Sequence, residues 1–272
     1  MTSENDGGIA DDYTLQDNTN TFTTSTFYTA LGGIVRSTTG WEQFVFVNDP
    51  TNVNYPTSIF IQYWVFGYHS TYGNCPENKP PGVGASSWMA DGNDCYANSG
   101  ASAVPNQPIV NLYKLSLTAI ANTAASNQQD EIIFCVSGGS CYIMAVTDHV
   151  LDLYQHWQGA EFNVVGNGGR SEATFNAGTS ITVANALNDQ SGNVIVPSCS
   201  KTFTGFTGET NNLNLNSGCS SSDGFFTSIG QIVFSESNAA GSDFSISVSP
   251  GSGSVLAGNS LSPAGTVTLT YL

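Results

Sequence analysis

Apolar residues along this chain recur mostly with a two-residue period, in short runs broken by Gly, Asn, Asp, Ser and Pro. Such alternation puts one set of side chains on each face of a β-strand. The run 41–47 (WEQFVFV), bounded by Gly40 and by Asn48-Asp49-Pro50, predicts a strand, and 58–68 (SIFIQYWVFGY) predicts a longer one rich in aromatic and β-branched residues. Further strands are expected at 21–24, 109–119, 131–136, 141–146, 160–165, 172–176, 180–185, 231–235, 244–248 and 266–272. Residues 69–108 read as a loop region with a short strand or turn inside 85–97. Only 148–157 (DHVLDLYQHW) has helical spacing, with Val150, Leu151, Tyr154 and Trp157 in phase. It is long enough for one or two turns.

Many short strands separated by turn residues indicate an all-β fold. The expectation is an antiparallel β-sandwich, concanavalin- or jelly-roll-like, with loops pinned by disulfides and at most one short helix. Residues 1–20 are polar and acidic and read as an N-terminal arm or edge strand. Residues 21–272 read as a single domain, with neither an internal repeat nor a dividing linker.

Charge narrows the function. The chain of 272 residues carries 5 Lys and Arg against 21 Asp and Glu, a formal net charge of −16. So few cations leave no basic patch for phosphate backbones or anionic lipid, which argues against nucleic acid and membrane surfaces as partners. No apolar stretch is long enough for a membrane-spanning helix. Acid would protonate most carboxylates and relieve the self-repulsion. The balance therefore suits either an acidic habitat or an ordinary soluble acidic protein.

Six cysteines lie at positions 75, 95, 135, 141, 199 and 219. None has the close spacing of a zinc or redox motif. Proximity pairs them as Cys75–Cys95, Cys135–Cys141 and Cys199–Cys219, although sequence alone leaves the connectivity open. Disulfides imply an oxidising, extracellular location, with six buried thiols as the alternative. The polar opening (MTSENDGG) lacks the charged and apolar regions of a signal peptide and suggests a mature chain. The absence of any Asn-x-Ser/Thr acceptor fits a source without N-glycosylation.

Missing motifs prune the chemistry. His69, His149 and His156 form no ligand cluster, so neither a metal nor any other cofactor is expected. There is no Gly-x-Ser-x-Gly elbow, no Asp-Thr/Ser-Gly, no P-loop and no dinucleotide fingerprint before a helix.

Two polar residues interrupt strongly apolar strands. Alternation sets Gln62 between Phe60 and Trp64 on one face, opposite Ile59, Ile61, Tyr63 and Val65. In 159–165 (GAEFNVV), Glu161 and Asn163 share a face opposite Phe162. A carboxylate in this setting is a candidate for a shifted pKa. The competing interpretation is that both point to solvent from an open sheet face.

In order and rough spacing, Trp41 in WEQFVFV, Gln62 in SIFIQYW and Ala160-Glu161-Phe162 followed by 172–185 (EATFNAGTSITVAN) resemble the glutamic peptidases of the eqolisin type. The closing Thr/Val strand 266–272 also resembles that family. The likeness covers roughly 20–190 and the last strand. It departs from the family after Trp41, where Glu42-Gln43-Phe44 replaces the usual Gly- and Asp-bearing run. The resemblance implies a secreted, acid-acting endopeptidase with a β-sandwich fold, taking peptide or protein substrates. By that likeness Glu161 is the general base and Gln62 the amide that orients water and supports the oxyanion.

Trp41, Trp64, Trp88, Tyr96 and Asn163 are candidates for substrate binding, with Trp157 a further aromatic that could line a cleft. For Trp41 and Trp157 core packing is the favoured interpretation, whereas Trp88 lies in a Gly-rich loop of the kind that carries binding groups. Two other classes fit the same composition: a carbohydrate-binding, lectin-like sandwich and a structural surface or filament subunit. Oligomeric state is not readable from the sequence.

Overall fold

The computed structural model describes residues 2–3, 9–24, 37–52, 57–80, 84–122, 129–147, 150–189, 193–195, 208–215, 225–226, 231–238, 244–249 and 266–271. Over these residues the protein is a mostly antiparallel β structure with two disulfides. The largest sheet has eight strands. Its main path runs Ala160–Val165, Tyr13–Thr19, Thr38–Asn48, Ser58–Phe66, Asp94–Asn98 and Met89–Asp91, with Phe22–Thr24 and Ser102–Ala103 pairing alongside. A three-stranded meander, Leu115–Asn122, Gln129–Val136 and Cys141–Thr147, covers one face.

The core between these layers follows from strand alternation. Ile59, Ile61, Tyr63 and Val65 are fully buried on one side of their strand, and Phe60, Gln62, Trp64 and Phe66 are half-exposed on the other. Phe44 and Phe46 continue the buried face, with Phe46 stacked on Phe134 of the meander at 4.1 Å between ring centroids. Where Phe22–Thr24 crosses, Gly40 allows a close approach. A Cβ there would lie 3.1 Å from both Phe22 and Thr24.

Several sequence expectations need correcting. The polar arm expected over 1–20 gives way at Tyr13–Thr19 to an internal strand, paired on both edges and mostly buried. Its polar residues are Thr, Gln, Asp and Asn, which made a buried strand look like surface. The strand expected at 109–119 starts as a 3₁₀ turn, Ile109–Lys114, and becomes strand only from Leu115. The helix expected over 148–157 reduces to a 3₁₀ turn at Leu153–Gln155. Asp152 has φ 63, a left-handed conformation that interrupts a right-handed helix. Residues 148 and 149 lie outside the described residues, and so do Cys199 and Cys219. The other two disulfides form as expected, Cys75–Cys95 and Cys135–Cys141.

Asp17 points to the core side of its strand, opposite Phe44 and Phe162. Its Oδ1 is shielded from water and has no hydrogen-bond partner among the described residues. Burial pushes this carboxyl from 3.8 up to about 7. Folding therefore favours the protonated acid. The resulting stability is fully present below about pH 4, declines as pH rises towards 7, and is gone above it. At full strength this one group is worth about 4 kcal/mol. Asp17→Asn should flatten that slope. Urea denaturation at pH 4 and pH 8 reads it, and an unchanged difference between the two pH values would remove Asp17 as the cause.

Candidate functional site

The face of the large sheet turned away from the meander carries an unusual line of side chains. Strand register sets Glu161 opposite Asn18, Asn18 opposite Gln43, Gln43 opposite Gln62 and Gln62 opposite Asn98. Directly opposed residues share a face and neighbour one another. The result is a transverse polar row across five adjacent strands. One step along the strands, Trp41, Trp64 and Tyr96 form a parallel aromatic row. Trp64 stacks on Tyr96 with 5.0 Å between ring centroids and on Phe66 with 6.1 Å.

Trp64 sets the chemistry of the row, because an indole N–H can only donate. It donates to Gln43 Oε1 at 3.0 Å and to Gln62 Oε1 at 2.7 Å. Both glutamines must therefore present their NH₂ groups elsewhere. Gln62 Nε2 donates to Asn98 Oδ1 at 2.8 Å. Gln43 Nε2 donates to Gln16 Oε1 at 3.1 Å and to Asn18 Oδ1 at 3.3 Å. The amide orientation thus propagates outward from Trp64 in both directions. At the Glu161 end it leaves Asn18 with its oxygen engaged and its Nδ2 buried, without an acceptor among the described residues.

Glu161 is half-buried at the margin of the sheet. Burial pushes its carboxyl up from 4.5, and the amide of Asn163, two residues along the same face, pulls the other way. Burial also raises Glu236, with the amide of Asn211 pulling the other way, on a second sheet where it lies opposite Ile181 and Leu215.

Gln62 and Glu161 therefore share a face and a row but are not neighbours. Asn18 and Gln43 stand between them, and three strand spacings separate their Cα atoms by about 14 Å. The Gln62 amide donates away from Glu161. Trp64, Tyr96 and Asn163 are half-exposed on this face, while Trp41 is buried there, its Nε1 donating to Thr19 O at 2.7 Å. Trp157 is on the other side, stacked on the core residue Phe44. Trp88 is half-buried against the hydrophobic core. Sequence reasoning missed Asn18, Gln43 and Asn98. The signal for Asn18 was the comb Thr14, Gln16, Asn18 on one face of YTLQDNT.

Among the described residues no group of three His, Cys, Asp or Glu is placed to hold a metal ion, and no helix is long and apolar enough to cross a membrane. No family model, curated protein or solved structure matches the chain.

Trp64→Phe keeps the stacked ring but strips Gln43 and Gln62 of a donor. Gln43 is buried, where an unpaired polar group costs about 1–3 kcal/mol, whereas the half-exposed Gln62 can turn to water. Chemical denaturation should show a loss of about 1 kcal/mol or more, and a loss below about 0.5 kcal/mol would mean that the indole hydrogen bonds do not order the row.

Proposed function

We propose that this chain is a secreted endopeptidase of the glutamic type, working in weak acid, with Glu161 as its general base. One observation carries the reading. Glu161 ends a row of amide side chains that runs across five strands beside aromatic rings, and burial tunes it upward. The likeness of its Ala160-Glu161-Phe162 strand to the eqolisin peptidases supports the assignment, and the two disulfides suit an oxidising, extracellular compartment.

In this reading a peptide lies across the strands, over the polar row. The distance from Glu161 to Gln62 matches about four extended residues. Gln62 and Asn98 bond backbone groups of the substrate, and Trp64 and Tyr96 grip apolar side chains. Glu161 must be ionised to take a proton from water, so activity rises with pH through a pKa above the usual carboxylate value. Ionisation of Asp17 near pH 7 weakens the fold and closes the window from above.

Incubation with denatured casein from pH 2 to 7, with and without a pepsin inhibitor, tests the reading. Inhibitor-insensitive cleavage is expected, rising with pH through a pKa above the ordinary carboxylate value and falling as Asp17 ionises near 7. Glu161→Gln should lower kcat/KM by at least about 100-fold without unfolding the chain. A variant keeping more than about a tenth of wild-type activity would exclude Glu161 as the base.

The stacked Trp64–Tyr96 pair beside the amides also favours a second reading, a glycan-binding face. Polysaccharide binding with no cleavage at any pH would select it.

A further inference from the structure

The geometry points to Asn18 as the residue that holds the attacking water for Glu161, an inference that rests on the peptidase reading. Gln62 is too far along the row for that task, and its NH₂ is committed to Asn98. Asn18 is the direct cross-strand neighbour of Glu161. Side chains so paired have Cβ atoms about 5 Å apart, which lets one water bridge their polar tips. Asn18 is completely buried, and its Nδ2 has no acceptor among the described residues. A buried donor left in this state is costly unless the site uses it. Its orientation is also set, because Trp64 fixes Gln43, and Gln43 Nε2 takes up Asn18 Oδ1.

The step balances without further reagents. Water accepts a hydrogen bond from Asn18 Nδ2 and gives its proton to the Glu161 carboxylate as its oxygen bonds to the peptide carbonyl carbon. The C–N bond then breaks, and Glu161 returns that proton to the departing amine. Asn18 neither gains nor loses a proton. Only water has to reach its buried amide, and the peptide stays over the half-exposed Glu161.

Peptide hydrolysis by Asn18→Leu and Asn18→Asp tests the role. Leucine removes the donor, so kcat should fall about 100-fold with KM changed less than about threefold. Aspartate keeps the shape but donates only when protonated. Its activity should survive at the acid end of the profile and disappear as pH rises, unlike that of wild type. A kcat within about threefold of wild type for Asn18→Leu would overturn the inference. Should that variant fail to fold, an Asn18→Asp pH profile matching wild type would overturn it instead. Wild-type cleavage abolished by Glu161→Gln but untouched at residue 18 would refute Asn18 alone. An inactive wild type would refute the peptidase reading, and the role of Asn18 with it.

Discussion

The polar face of the large sheet is organised by one donor-only group, the indole N–H of Trp64. Amide side chains are ambiguous partners, since each end of the group can turn either way. Trp64 removes that freedom by taking the oxygens of Gln43 and Gln62 together. From there the donors face outward along the row, towards Asn18 on one side and Asn98 on the other. Burial makes the order strict, because Gln16, Asn18 and Gln43 are buried and an amide that loses its partner there is costly. The core face of the same strands is mostly apolar and stacked, with Asp17 an exception on it.

Strand periodicity made much of this architecture legible. The alternation in SIFIQYWVF separated Ile59, Ile61, Tyr63 and Val65 from Gln62 and Trp64, and the structure buries the first set in the core. Proximity paired both described disulfides correctly. Tyr13–Thr19 escaped because burial of Thr14, Gln16 and Asn18 depends on partners that lie far away in sequence. Local composition says polar, whereas the partners make the strand internal. The same limit applied to the site. Glu161 and Gln62 were visible as misfits in their own strands, but which amide stands beside Glu161 is a matter of register between strands, and that put Asn18 there.

The charge imbalance acquires a location. Of the 21 carboxylates, Asp12, Glu42 and Asp130 are completely buried, and Asp17 is driven towards neutrality by its surroundings. For Asp17, the fold is favoured where the acid is protonated. In the proposed mechanism Glu161 has the opposite requirement, since a base must be ionised. Burial acts on both carboxyls from opposite faces of one strand pair, with Asp17 facing the core and Glu161 facing the polar row.

The most direct measurement is a crystal structure of Glu161→Gln with a bound peptide substrate. The account predicts a peptide lying across the strands over the polar row, with a water between residue 161 and Asn18, about 3 Å from Asn18 Nδ2 and facing a peptide carbonyl carbon. A peptide bound away from this sheet face, or one whose carbonyls lie far from Asn18 and residue 161, would contradict it.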